Sequence, residues 1–355
     1  MSPAKLGRPS EPAPTVSPSF AVPAGEPASS ALSAGRPPAI ELQGLTHRYP
    51  GAERDALAGV TLEVEAGEAF AVLGPNGGGK STTFRILATL LQPRLPAAVA
   101  RVFGHDLARD PAAARRAMGV VFQSPSVDIK LSARENLACQ ARLYGLTRRA
   151  SAPRIDDALN QFGLSDRAGD RVETFSGGMR RRLEIAKALL HGPRLLLMDE
   201  PATGLDPAAR RELWDHLGAL REQRDISIVW TTHLMDEAER ADRLAVMADG
   251  RVVAVARPAE LMAEQGGHVV TVVPGSALAP DTVRVRIERE LGPWAAGRGP
   301  VVAEDGVRFE HGDGPSVVAR VAAWWPGDLE RVSVGRPTLE DAYLRLTAAA
   351  PDRHE

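Results

Sequence analysis

One cysteine, Cys139, is present in 355 residues, which excludes an internal disulfide. No apolar run approaches the roughly eighteen residues needed to span a bilayer, so the chain is expected to be soluble by itself. Lysine is scarce too: only four of the 43 Lys and Arg residues are lysines. The net charge of −2 excludes the broad positive field of a nucleic-acid binder, and nucleic acid is not expected as a partner. Residues 1–38 hold nine prolines, much Ala and Ser, and a single aromatic, Phe20. Such a stretch buries too little surface to fold and is expected to be disordered. It lacks the continuous apolar core of a secretory signal.

What is present begins with Gly74-Pro75-Asn76-Gly77-Gly78-Gly79-Lys80-Ser81-Thr82. The apolar run Ala69-Phe70-Ala71-Val72-Leu73 before it reads as a buried parallel strand. Phe84, Leu87, Ala88 and Leu91 after it repeat at the spacing of one helix face. Glycines at 74, 77, 78 and 79 are expected to take backbone conformations that a side chain forbids, turning N–H groups onto phosphate oxygens. The helix opening at Lys80 adds its positive dipole end. Lys80 supplies a mobile cation for the outer phosphates, and the Ser81 hydroxyl is placed for a magnesium ion. In so lysine-poor a chain, a lysine at the one place this loop requires is not background composition.

Arg194-Leu195-Leu196-Leu197-Met198-Asp199-Glu200 is an apolar strand ending in two acids. With a nucleotide loop in the chain, Asp199 is expected near magnesium and Glu200 is the candidate to position or deprotonate an attacking water. Without that loop, a strand followed by a helix-capping acid explains the same residues.

Between these elements lies Thr174-Phe175-Ser176-Gly177-Gly178-Met179-Arg180-Arg181-Arg182-Leu183. Met179, Leu183, Ala186 and Leu190 make a helical stripe, Ser176 is a natural N-cap, and the three arginines read as a solvated helix face. Ser176-Gly177-Gly178-Met179 resembles the signature motif of the ATP-binding cassette family. The resemblance covers about residues 40–265 and implies a P-loop NTPase α/β fold, ATP with Mg2+, and a signature that reaches the γ-phosphate held by another subunit. A twofold head-to-tail homodimer sharing two ATP sites is then the expected active state.

The resemblance also implies roles that single residues do not carry alone. Tyr49, in His47-Arg48-Tyr49-Pro50, resembles the aromatic that stacks on adenine, although on its own it reads equally as a packed or turn tyrosine. Gln123, after Val120-Val121-Phe122, is similar to the glutamine that senses magnesium and the attacking water. Asp206, in Gly204-Leu205-Asp206-Pro207, resembles the dimer-contact loop and is also a good helix start. His233, after Ile226-Ser227-Ile228-Val229-Trp230-Thr231-Thr232, is similar to the switch histidine of the γ-phosphate. Phe175, Met179 and Gly78 depart from the commoner residues. Met179 followed by arginines suits the branch that includes daunorubicin-resistance-type export ATPases. At Leu95-Pro96-Ala97-Ala98, where the family has a glycine turn, a rearranged hairpin is expected.

The stretch from about 125 to 172 reads as a helical insert, with the capping-box pattern Ser132-Ala133-Arg134-Glu135 and a second helix through Ile155, Ala158, Leu159 and Phe162. In the family this insert receives a membrane permease subunit, expected here at Ser124 to Leu131. From 266 to 355, Gly266-Gly267 and Val-rich runs alternating with turns suggest a small accessory α/β domain without catalytic or metal-ligand spacing. It ends in Gly335-Arg336-Pro337-Thr338-Leu339-Glu340-Asp341-Ala342-Tyr343-Leu344, which resembles the closing motif of drug- and polysaccharide-exporter ATPases. Leu339, Ala342, Tyr343 and Leu346 share one face of a docking helix.

The reading is an ATPase subunit of an exporter for a drug, lipid or glycan, working from the cytoplasm through its permease. Rivals are a ribosome- or DNA-acting cassette ATPase, which usually carries two cassettes or a coiled-coil insertion, and an importer ATPase. A non-hydrolysing binding module would be expected to lose Lys80, Glu200 or His233.

Overall fold

The computed structural model describes residues 36–92, 98–264, 267–292, 299–303 and 306–348. From Pro37 onward they belong to one compact unit. The disordered-tail expectation, up to residue 35, and most of the hairpin expected at Leu95 to Ala98 fall outside the described residues.

Three strands, β1 (Ile40–His47), β2 (Leu57–Val64) and β3 (Ala69–Leu73), precede helix α1 (Lys80–Leu87). Strands β4 (Val99–Val102) and β5 (His105–Asp106), helix α2 (Pro111–Ala117) and strand β6 (Met118–Val121) follow. Helices α3 (Ala133–Leu143) and α4 (Arg148–Gln161) form the insert, and α5 (Gly177–Leu189) returns the chain to β7 (Leu195–Asp199). Then come α6 (Pro207–Arg224), β8 (Ser227–Thr232), α7 (Met235–Ala238), β9 (Arg243–Ala248), β10 (Arg251–Ala256) and α8 (Pro258–Ala263). The last third runs β11 (His268–Pro274), α9 (Pro280–Leu291), β12 (Val301–Ala303), β13 (Gly306–His311), α10 (Gly314–Trp324), β14 (Leu329–Gly335) and α11 (Leu339–Ala348).

The central sheet has the order β10-β9-β3-β8-β7-β6, parallel except for the antiparallel edge strand β10. Its apolar strands are buried on both faces, as a parallel layer requires. Ala69, Ala71 and Leu73 enter one core with the insert and the helices α5 and α6. Phe70 and Val72 enter a second core with α1 and the sheet β2-β1-β4-β5. Helix α1 ends at Leu87, since Thr89 turns left-handed at φ 60°; Ala88 becomes the C-cap and Leu91 packs beyond the helix.

The capping box at the start of α3 is formed: Ser132 Oγ accepts from Glu135 N, and the Glu135 carboxylate accepts from Ser132 N. Strands β12-β13-β11-β14 make an antiparallel sheet crossed by α9 and α10, a βαββαβ unit with its own core. Helix α11 leaves that unit, and its Leu339 and Ala342 are fully buried in the first core of the central sheet. Arg308, on β13, pairs with Asp341 at 2.9 Å, and Arg345 pairs with Glu310, tying the same helix back to the accessory sheet.

Candidate functional site

Because β3, β8, β7 and β6 are consecutive in the sheet, their C-terminal ends deliver four segments side by side. These are the loop 74–82, His233, the pair Asp199 and Glu200, and Gln123. Leu73 is registered with Thr232, and Asp199 with Thr231.

The loop wraps the start of α1, whose N-cap Gly79 gives no side-chain cap, so the first turn keeps N–H groups free for a ligand. Gly77 and Gly79 have φ of 82° and 101°, which favours glycine. The reason differs at the other two glycines. A Cβ on Gly74 would lie 2.3 Å from the Met247 carbonyl oxygen, and one on Gly78 would lie 3.1 Å from that of Pro75. There the constraint is space, which corrects the expectation of a forbidden conformation at 74 and 78. A cleft of ≈ 220 Å³ opens between the loop and Tyr49, lined by Pro75, Asn76, Gly77, Gly79, Lys80, Ser81 and Thr82. Tyr49 stands edge-on to His47, and its hydroxyl lies 3.3 Å from Thr82 Oγ1.

Lys80 Nζ donates to the carbonyls of Gly74 (2.7 Å) and Pro75 (3.0 Å) and lies 3.9 Å from Glu200 Oε1. Burial lowers its pKa, and the carboxylates of Glu200 and Asp199 pull it back up. Glu200, at φ 45°, gathers three more side chains. Gln123 Nε2 and Thr203 Oγ1 each donate to Oε2 at 3.2 Å, and His233 Nδ1 lies 3.3 Å from Oε1. The positive φ at a non-glycine residue is a strained backbone at the centre of this cluster.

Asp199 is buried, and burial pushes its pKa up, with the Thr231 hydrogen bond pulling down, Glu200 adding to the rise, and Lys80 and Arg85 opposing it. A divalent cation would offset that burial cost, and the exposed Ser81 hydroxyl and the Gln123 amide oxygen complete a hard-oxygen donor set. Among the described residues no three His, Cys, Asp or Glu gather as metal ligands, so such a cation would depend on these neutral oxygens and on phosphate.

Ser176, Gly177 and Gly178 lie elsewhere. Ser176 caps α5 by accepting from Met179 N at 3.2 Å, and Asp206 caps α6 by accepting from Ala208 N and Ala209 N, both at 3.0 Å. A Cβ on Gly178 would meet Ala209 at 3.1 Å, so the two helix starts adjoin. Among the described residues no hydrogen bond joins this second patch to the Glu200 cluster, and Ser176 and Gly177 are exposed.

Several residues here carry no motif. Thr203 and Thr231 hold the two acids. Glu237 is buried, its Oε2 accepts from Thr232 Oγ1 at 2.7 Å, and its Oε1 has no partner. Arg181 overturns the expectation that 180–182 form a solvated face: it is 6% exposed, paired with Glu184 at 2.9 Å. Burial disfavours the charge on each, lowering the arginine pKa and raising that of the glutamate. The signal was available, since Ile185 and Ala188 continue the face of Arg181 and Glu184, and a helix apolar on both sides is buried on both.

The ABC transporter family model matches residues 57–203. The chain is 37% identical over 328 residues to the daunorubicin/doxorubicin resistance ATP-binding protein DrrA of Streptomyces peucetius, covering 88% of this chain and 94% of that one. It is 37% identical over 314 residues to the Nod factor export ATP-binding protein I of Neorhizobium galegae, covering 87% and 85%. Among solved structures it is similar to cbiO1 from Clostridium perfringens, part of the ABC transporter complex cbiONQ, with TM-score 0.59, 27% identity and coverage of 71% and 97%.

Proposed function

The chain belongs to the ABC transporter family and is an ATPase subunit of it, and we propose that it powers export by pairing with a second copy around two ATP molecules. It would act on a separate membrane permease that moves a drug, lipid or glycan outward, at the cytoplasmic face of the membrane. Among the described residues no helix is long and apolar enough to cross a bilayer. The observation that carries the reading is the convergence of Lys80, Gln123 and His233 on Glu200 beside the loop cleft. The export direction is supported by the names of the relatives, DrrA and the Nod factor export protein.

In this reading the cassette spans 39–265 with its insert at about 125–172, and 266–355 is accessory. Tyr49 stacks on the adenine, and Asn76, Gly77 and Gly79 supply N–H groups to the phosphates, those of Gly74 and Gly78 being bonded to the carbonyls of Thr232 and Pro75. Lys80 leaves the carbonyls of Gly74 and Pro75 to meet the outer phosphates. Ser81, Gln123 and Asp199 would hold Mg2+, which neutralises phosphate charge. Glu200 takes the proton of the attacking water, with His233 on the γ-phosphate. Ser176, Gly177, Gly178 and Asp206 face the partner's nucleotide, which accounts for an exposed patch remote from the chain's own cluster. The permease would dock at Ser124 to Leu131, where Ile129 is 44% exposed and a second cleft, also ≈ 220 Å³, opens beside Ser126 and Tyr144. No nucleic acid enters.

The test is light scattering on Glu200→Gln with ATP and magnesium. Expected is an ATP-dependent dimer whose hydrolysis is about 10²–10⁴-fold below wild type, whereas Lys80→Ala scarcely binds ATP. A monomer throughout, or wild-type hydrolysis by Glu200→Gln, would contradict the reading.

A further inference from the structure

Four hydrogen bonds connect α5 to the irregular segment that follows β6, and an ion pair within the helix joins two of the side chains that make them. Arg181 Nη1 donates to the Phe122 carbonyl at 2.8 Å and to Glu184 Oε2 at 2.9 Å, and Arg181 Nη2 reaches the Gln123 carbonyl at 3.4 Å. Glu184 Oε1 accepts from Ser126 N at 2.5 Å, and Lys187 Nζ donates to the Ser126 carbonyl at 2.6 Å. The three charged residues are spaced by three along the helix, so they stand in one row facing residues 122–126.

The segment they hold is exposed from Gln123 to Ser126, while Arg181 and Glu184 are 6% and 3% exposed. A buried ion pair is a poor way to gain stability, because desolvation offsets its attraction and apolar residues of similar volume do as well. What the pair adds is direction: it fixes two carbonyls and one amide on either side of the Gln123 side chain. We infer that Arg181 and Glu184 are positioning residues for Gln123, locking its backbone to the helix that begins at Ser176 so that its amide meets Glu200. The inference rests on the reading of Gln123 and Glu200 as the hydrolytic centre. The placement of Gln123 then follows the position of α5, and the start of that helix is the patch assigned to the partner's nucleotide.

The test uses the full chain as wild type, Arg181→Met/Glu184→Leu and Arg181→Lys. The double variant removes both charges together, leaving no orphaned ion, and keeps the helix filled. Affinity for a fluorescent ATP analogue, kcat and Tm are measured on each. Expected is an analogue Kd within about twofold of wild type with kcat lower by about tenfold or more, and an intermediate kcat for Arg181→Lys, which retains the charge. A pair that served only as a structural staple would lower Tm and affinity along with kcat. A folded double variant with kcat within about twofold of wild type, or with kcat and affinity falling by one factor, overturns the inference. If the double variant does not fold, Arg181→Lys decides: reduced kcat at unchanged affinity upholds it, and unchanged kcat overturns it. A wild type without ATPase activity fails before any variant is compared, which separates failure of the site reading from failure of this one.

Discussion

The Thr231 hydroxyl joins the two acids of the site: it donates to Asp199 Oδ1 at 2.5 Å and accepts from Glu200 N at 3.0 Å. Thr231 lies on β8 and the acids at the end of β7, so one side chain of the neighbouring strand sets the Asp199 carboxylate and the Glu200 backbone. Thr231→Val keeps the shape and removes both bonds. An unfolding free energy lower by about 1–3 kcal/mol is expected, the cost of a buried polar group left without its partner.

Activity should change in a way that reports on Asp199. Burial already raises its pKa, and the Thr231 bond is among the influences lowering it. Removing that bond raises the pKa further, so at a given acidic pH less of the carboxylate is ionised. The acidic limb of the kcat/KM profile, which reports the free enzyme, should therefore move to higher pH in Thr231→Val. An unmoved limb would show that Asp199 does not have to be ionised for turnover.

Glu237 gives a stability prediction of defined sign. Its pKa is raised, first by burial, against the Thr232 hydrogen bond, and Oε1 has no partner. A carboxyl whose folded pKa lies above its unfolded one destabilises the fold once ionised, and the penalty grows as pH rises above 4.5. Glu237→Gln keeps an oxygen for Thr232 and cannot ionise. Its Tm should exceed that of wild type at pH 8, with the gap closing as the pH falls below 4.5. A constant gap across that range would exclude this cause.

Gly74 and Gly77 separate two reasons for glycine in one loop. At Gly74 an added methyl meets the Met247 carbonyl of β9 at 2.3 Å, so alanine must force two paired strands apart. Gly74→Ala should lower stability by about 1–3 kcal/mol or more and abolish ATP binding. Gly77 has open space and φ 82°, so Gly77→Ala should cost only about 1–2 kcal/mol of backbone strain. Thermal melts with and without ATP distinguish them, and equal losses would refute the distinction.

Motif residues at strand ends were legible because a parallel sheet brings C-terminal ends together whatever the strand order. That is why Lys80, Asp199 and Glu200 could be named from their own motifs, whereas Gln123 and His233 are named from the resemblance to the ATP-binding cassette family. Thr231 could not, since its role depends on which strand neighbours which, and β8 lies between β3 and β7 although it follows both in the chain; Thr203 could not either, since only the turn after Glu200 brings its hydroxyl back to Oε2. Arg181 was misread because charge pattern alone does not show that a helix is covered on two sides. The accessory unit reads in the sequence only as Val-rich runs at 268–273, 282–287 and 316–322 alternating with turns; the first is β11, but the other two lie in the helices α9 and α10, and the nonlocal pairing of the sheet was not legible. Docking of α11 was legible from the face shared by Leu339 and Ala342, but its destination in the central core was not.

That destination makes the last prediction. Leu339 is fully buried among residues of the cassette, 83 positions beyond the end of β10 at Ala256, whereas the βαββαβ unit between them has a separate core. A methyl-sized truncation in that unit should leave the nucleotide site alone. Leu339→Ala removes apolar contacts from the cassette itself, and large-to-small changes at fully buried sites cost about 2–5 kcal/mol. Urea unfolding followed by loss of ATP binding should therefore show an earlier midpoint for Leu339→Ala, and an unchanged one for Val317→Ala, whose side chain lies in the accessory core. Asp341→Ala should act in the same direction as Leu339→Ala but more weakly, because it removes the carboxylate that accepts from Thr338 N and pairs with Arg308 while leaving the apolar contacts in place. If Val317→Ala shifts the ATP-binding midpoint as far as Leu339→Ala does, the two cores unfold as one and α11 is not the cassette's own element.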